Sequence, residues 1–212
     1  MTSLMKDTDA RPVQGRGQAT RELLMKAAIV SFTTLGYDAS STRQIESEAG
    51  VRRGLITYHF GNKENLWKSA AAWSLQESTA EMAQTLKSAE NVDPGSRMRF
   101  LVRAYVRFCA RSPEFHRLMI KEGSEDGWRL KWLVEHSVAP WYRRLEKIFT
   151  EASNLGVAPK MDYHHFYYIL TGAASLIFSM APESVLVADI DPMDDKFLSA
   201  HADALAELLF PG

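Results

Sequence analysis

The chain has 212 residues, 46% of them hydrophobic and 24% charged, with a net charge of −1. That is enough apolar material for one compact unit, or a small unit joined to a larger one, and it excludes a uniformly polybasic nucleic-acid binder. A single cysteine, Cys109, excludes a disulfide framework within one chain and reads as a small buried hydrophobe. The charge is uneven: residues 1–70 hold ten Lys/Arg against seven Asp/Glu, and residues 71–212 hold fifteen against nineteen. A basic head on an acidic body fits a localised contact with phosphates.

Residues 1–17 are polar, contain Pro12, Gly15 and Gly17, and read as an irregular arm without a secretory signal. Their Arg11 and Arg16 have the chemistry to reach a minor groove. The first helix is predicted over 18–35, with Leu24, Ala28, Phe32 and Leu35 inward and Gly36 as its stop.

Residues 41–60, STRQIESEAGVRRGLITYHF, organise the chain. Ser41 is placed to cap a short helix, with Gln44 three residues on completing a capping box. Ile45 and Ala49 fall on one face, Gly50 supplies a sharp turn, and Val51 re-enters the core. A second helix is predicted to start near Arg52, with Leu55 or Ile56 and Phe60 inward and Gly54 allowing the first helix close. This is a helix-turn-helix, whose second helix can lie in a DNA major groove. Arg52, Arg53, Thr57, Tyr58 and His59 would crowd donors onto its exposed face.

Gly61-Asn62 closes this head. Asn62 can cap the next helix, predicted over 63–86, and Lys63 in its first turn suits a phosphate. Leu66, Ala70, Trp73, Glu77 and Ala80 mark its stripe. Asp93-Pro94 then starts a helix over 94–111 that turns Met98, Leu101, Tyr105, Phe108 and Cys109 inward. Arg99, Arg103, Arg107 and Arg111 form an outward stripe, read as a solvated or ion-paired face rather than an anion site. A short helix over 114–122 carries His116, Met119 and Glu122. A long helix over 125–154 ends at Gly156 and should kink near Val138, because Pro140 lies within it. The last two helices are predicted over 161–180 and 192–210, separated by Pro182, the second capped by Asp191-Pro192. They carry more apolar surface than one core needs.

Residues 17–67 resemble the DNA-binding domain of the tetracycline-repressor (TetR) family of transcriptional regulators. The resemblance rests on Ile45, the AGV run ending at Val51, Gly54, the Tyr58-His59-Phe60 triplet, Lys63-Glu64 and Leu66. Two residues depart from the family pattern: Glu46 stands where a small alanine usually packs, and Thr57 where an aromatic is frequent. The resemblance implies an all-α fold, with an N-terminal three-helix helix-turn-helix domain over 1–62 and a larger helical domain over 63–212 for effector binding and dimerisation. It implies a homodimer through the last two helices, on a partly palindromic operator in double-stranded DNA. Arg52, Arg53 and Thr57 would then face base edges, while Arg43, Tyr58, His59 and Lys63 would hold phosphates.

All five tryptophans fall within residues 67–142. Aromatics at helical spacing are commonly plain core, but the resemblance implies a small-molecule effector cavity in this body. The lining candidates are Trp73, Tyr105, Phe108, His116, Met119, Trp128 and Trp132, suited to an apolar or aromatic effector. No HExxH, Walker loop, GxGxxG or GxSxG occurs, and His164-His165 are adjacent and point about 100° apart on a helix. No catalytic residue, metal ligand or cofactor is therefore assigned. No apolar run is long enough for a membrane span, so a cytoplasmic protein is expected. An effector-released repressor is the leading expectation. An activator, or a regulator without a small-molecule effector, is the alternative, and an all-α carrier or enzyme with an incidental helix-turn-helix is a further one.

Overall fold

A computed structural model describes residues 13–211, which form eleven α-helices and one π-helical turn, with no β-strand among them. Arg11 and the side chains of Arg16 and Glu77 lie outside the described residues. The chain divides into two compact units that part between Ala70 and Ala71, inside the fourth helix and later than the junction at 62–63 read from the sequence.

The first unit contains α1 (Val13–Thr34), α2 (Thr42–Glu48), α3 (Leu55–Phe60) and the opening turns of α4 (Lys63–Ser88). Helix α1 starts five residues earlier than residue 18, within the stretch read as an irregular arm. Gly15 and Gly17 weaken a helix without forbidding it. Its inner face is Leu24, Met25, Ala28, Ile29 and Phe32, whereas Leu35 lies past the last turn and is exposed. Gly36 follows with a φ of 91°, a left-handed value that makes it a stop. Ile45, Ile56, Phe60, Leu66, Trp67 and Ala70 complete this core.

The second unit holds the rest of α4 with α5 (Pro94–Arg111), α6 (Pro113–Gly123), α7 (Trp128–Leu133), a π turn (Val134–Val138), α8 (Ala139–Asn154), α9 (Tyr163–Ser179), α10 (Ala181–Ala188) and α11 (Asp195–Leu209). Helix α5 is central and packs against α11, α9 and α8. Its buried face of Met98, Leu101, Val102, Tyr105, Val106 and Cys109 meets Leu145 and Phe149 of α8, Phe166 and Leu170 of α9, and Leu205 and Leu209 of α11 in one core.

The caps explain most boundaries. The Asp93 carboxylate accepts from the Ser96 N–H at 3.0 Å, and Pro94 enters the first turn where its missing N–H costs nothing. Gly156, at φ 72°, ends α8 with Val157 N–H donating to the Ala152 carbonyl and Gly156 N–H to Ser153, a Schellman pair. The long helix expected over 125–154 starts only at Trp128 and is interrupted by the π turn. Pro140 has no N–H for the ladder, and the widened turn just before it absorbs the mismatch. Pro182 does not merely separate the last two helices: it sits in the first turn of α10, a helix not anticipated. Helix α11 consequently starts later, capped by Asp194, which accepts from Lys196 and Phe197, and not by Asp191. No single described helix is long and apolar enough to cross a membrane.

Candidate nucleic-acid interface

The turn between α2 and α3 is set by backbone chemistry. Ser41 accepts from the Gln44 N–H at 3.1 Å, as its spacing predicts. The reciprocal half of the capping box is not made, because the Gln44 side chain instead donates to Glu48 at 2.8 Å. At the far end of α2, Val51 N–H bonds the Glu46 carbonyl and Gly50 N–H the Ser47 carbonyl, with Gly50 at φ 65°.

Gly54 has a φ of 89°, so it cannot be helical, and α3 begins only at Leu55. A Cβ placed on Gly54 would meet nothing within 4 Å. The glycine is there for its backbone angle, not for close approach of α2, which corrects the sequence reading. Arg52 and Arg53 therefore lie in the turn ahead of α3 rather than on it, and both are exposed.

Glu46 is the residue whose role sequence reasoning missed. Its side chain is buried, and Oε1 accepts from the Ile56 N–H at 2.9 Å. No side chain caps α3 from its own N-cap position, so the carboxylate of α2 satisfies one of its orphan donors. The departure from a small alanine at this position thereby ties the two helices of the motif together.

The remaining candidates surround this frame. Thr57 is exposed, and Tyr58 is 80% exposed with its ring edge-on to His59 at 4.9 Å. His59 is half-buried, and Arg43 is exposed on α2. Lys63 is half-buried: its ammonium lies 4.5 Å from the Tyr37 ring centre and donates to the Asp38 carbonyl at 3.4 Å. Asn62 caps α4 by accepting from Asn65 N–H at 2.8 Å. Arg21 is structural, stacking over Phe60 at 5.1 Å and reaching the Ser69 hydroxyl. Among the described residues Arg43, Arg52 and Arg53 form no ion pair.

The effector candidates divide. Tyr105 is buried, and the rings of Phe108, at 5.7 Å, and Trp141, at 5.6 Å, stack on it, each at 12°. His116 meets Phe108 edge-on at 6.0 Å. Its Nδ1 lies 2.9 Å from the Ser112 carbonyl, which can only accept, so Nδ1 carries the proton. Nε2 is then free to accept from the Cys109 thiol at 3.4 Å. Burial lowers the His116 pKa and pushes the Cys109 thiol up, so both stay neutral. Met119 and Trp73 are half-buried, Trp132 stacks on His136 at 4.6 Å, and Trp128 is 38% exposed beside Arg129. The structure thus gathers Tyr105, Phe108 and His116, and adds Trp141, which the sequence reading passed over. The arginine stripe of α5 is largely occupied: Arg103 pairs with Asp203 at 2.5 Å, Arg111 with Glu81, and Arg99 donates to the Phe210 carbonyl.

Residues 24–70 match the model of bacterial regulatory proteins of the tetR family. The dual regulator CecR of Shigella flexneri is 38% identical over 58 residues, 27% of this chain and 26% of its own length. The repressor AcnR of Corynebacterium glutamicum is 34% identical over 67 residues, covering 32% and 34%. The matches thus span about a quarter to a third of these curated relatives. A crystal structure of AibR in complex with isovaleryl coenzyme A and operator DNA shares the fold, with a TM-score of 0.71 at 18% identity over 91% of this chain and 98% of that one. The relatives are transcriptional regulators, not enzymes. The helix-turn-helix geometry and the match to the tetR-family model fall on the same residues, so residues 24–70 are a helix-turn-helix domain similar to those of the tetR family of bacterial regulatory proteins.

Proposed function

We propose that this protein is a DNA-binding transcriptional regulator, a homodimeric repressor released from its operator by a small molecule. One observation carries the reading. Arg43, Arg52, Arg53, Thr57 and Tyr58 surround a six-residue helix as exposed donors, and the three arginines have no acidic partner among the described residues. Arg52 and Arg53, on the turn, and Thr57 approach base edges, where arginine suits guanine O6 and N7. Arg43, Tyr58, His59 and Lys63 hold phosphates and set the register. Lys63, pinned by Tyr37, offers a pre-positioned charge whose ordering cost is already met.

Dimerisation through α9 and α11 is supported by apolar side chains left in water: Tyr168 at 73%, Leu176 at 50% and Leu208 at 75% exposure. Two-fold pairing presents two heads to a symmetric site. The effector occupies the aromatic cluster of the body, as the ligand in the AibR complex encourages. Helix α4 begins in one unit and ends in the other, so it carries the bias. An effector that binds one spacing of the heads better than the other shifts the population away from the DNA-competent one. The protein then works in the cytoplasm, where its operator lies. AcnR supports repression, whereas the dual role of CecR keeps activation as the second reading.

Selection of duplexes from a random library, with anisotropy titrations of the selected sites at several salt concentrations, tests the proposal. The expected site has two half-sites related by a two-fold axis, and log K falls linearly with log salt. Equal affinity for the selected and random duplexes overturns it.

A further inference from the structure

Helix α10 is built inside out. A helix of eight residues is unstable by itself and is ordinarily held by an apolar face turned to its own chain. The one residue that α10 buries is Ser184, whereas Leu186 is 87% and Val187 75% exposed, with Val185 half in water beside them. The helix is nevertheless fixed. The Ser184 hydroxyl lies 2.9 Å from the Ala181 carbonyl and 3.1 Å from the Ile190 carbonyl. Asp189, at φ 55°, closes the C-terminus by donating its N–H to the Val185 carbonyl. An apolar surface already held in one shape loses little freedom on docking.

This surface continues a second apolar stripe. One side of α9 lies in the core through Phe166, Leu170, Ala174 and Phe178. Its other side leaves Tyr168, Ile169, Leu176 and Met180 in water, and Met180 leads directly into α10. At roughly 200 Å² for a whole large side chain, these four and Leu208 of α11 expose about 600 Å². Val185, Leu186, Val187 and Met193 bring the total to about 1,100 Å², against the roughly 800 Å² that one partner gives to a standard interface. Charge narrows the occupant. Residues 181–195 hold five Asp/Glu and no Lys or Arg, which disfavours an anionic membrane surface and DNA alike. Helices α9 and α10 are bent by 75° and α9 is committed to the core, so the pair does not form one span.

We propose that α10 docks on a second copy of this chain, with Leu186 and Val187 as its anchors, and so extends the interface of α9 and α11. This rests on the reading of the protein as a homodimer, and it adds an element that the last two long helices do not supply. A second copy offers the same apolar stripe, and two-fold symmetry uses every contact twice.

Sedimentation equilibrium of the full-length protein tests this with three chains: wild type, Leu186→Gln/Val187→Gln and Leu208→Gln. Glutamine is a good helix former and both α10 positions are exposed in the single subunit, so the helical circular dichroism should not change. Each substitution acts twice in a two-fold dimer, and the α10 variant should raise the dimer Kd at least about a hundredfold. Amide exchange over residues 184–190 should slow as wild-type concentration rises through the Kd, and should stay fast over the same range in the variant. A dimer Kd within about threefold of wild type in the α10 variant, or exchange that ignores concentration, overturns the inference. If that variant dimerises normally while Leu208→Gln dissociates, only the α10 contact is wrong. If wild type is a monomer throughout, the dimer reading itself has failed and the inference falls with it. Binding of wild type, but not of the α10 variant, to vesicles of about one-third phosphatidylserine, with the dimer Kd unchanged, would assign the surface to a membrane instead and overturn it.

Discussion

The arginines around the turn of the head differ from the ion-paired arginines of the body. In the head, Arg43, Arg52 and Arg53 are exposed with no acidic partner among the described residues. In the body, Arg97, Arg103, Arg111 and Arg129 each meet a carboxylate, those of Glu151, Asp203, Glu81 and Glu122. Net charge does not reveal this, because a stripe of four arginines on α5 resembles an anion-binding face until its partners are seen. The head leaves its arginines free where phosphate is the proposed partner, although exposed Arg107, Arg143 and Arg144 of the body also form no ion pair among the described residues. The pairs of Arg97, Arg103 and Arg111 are surface chemistry on a core that holds by packing, whereas Arg129 meets a buried Glu122.

The largest expected effect tests whether packing does hold the body. Phe166 is fully buried between Phe149, at 4.6 Å, and Phe210, at 5.8 Å. Phe166→Ala should cost the body about 3–5 kcal/mol, read by denaturant unfolding. A loss smaller than that of any single ion pair would invert the comparison. In the head, Glu46→Ala should cost about 1–3 kcal/mol, since it strands the Ile56 N–H of α3. Glu46→Gln retains an acceptor and should cost less. Hydrogen exchange at Ile56 reports this directly, and equal protection in wild type and Glu46→Ala would show that the carboxylate is no cap.

A pH dependence separates the units further. Burial depresses the His116 pKa, the Ser112 carbonyl opposing it. The unfolded chain therefore binds more protons than the folded one below about 6.5, the ordinary histidine value. The stability from a neutral His116 is fully present above that pH and is lost as pH falls below it. Melting temperature of the body should drop between pH 7 and 5, and His116→Gln should flatten the slope. The smallest effect is expected at Arg111→Ala. Its pair with Glu81 is about half exposed on both sides, so unfolding should change by less than about 1 kcal/mol.

The head was more legible in the sequence than the body, for a physical reason. Its turns depend on local backbone geometry, so Ser41, Gly50 and Asn62 could be assigned from spacing alone. Gly54 misled because a glycine serves either close packing or a positive φ, and sequence does not say which. Arg52 and Arg53 were accordingly placed on a helix that starts after them. Glu46 looked like an anomaly because its partner, Ile56 N–H, is backbone and leaves no mark in side-chain patterns. In the body the caps at Asp93 and Gly156 were legible, and Pro140 marked a disturbance without revealing a π turn. Helix α10 was hidden because Pro182 was taken as a separator, although proline also opens helices. Trp141 was indistinguishable from the other tryptophans, since its stacking on Tyr105 comes from tertiary packing.

The central claim is that the unpaired arginines of the head, and not the paired ones of the body, bind the operator. The direct test is an anisotropy titration of one operator duplex with three proteins: wild type, Arg52→Ala/Arg53→Ala and Arg103→Ala/Arg111→Ala. The head variant is predicted to lose about 1–3 kcal/mol of binding per arginine, tenfold or more in affinity, with a shallower salt slope. The body variant should bind within about twofold of wild type, its charges being already neutralised by acids. Equal losses in the two variants, or none in the head variant, would contradict the claim.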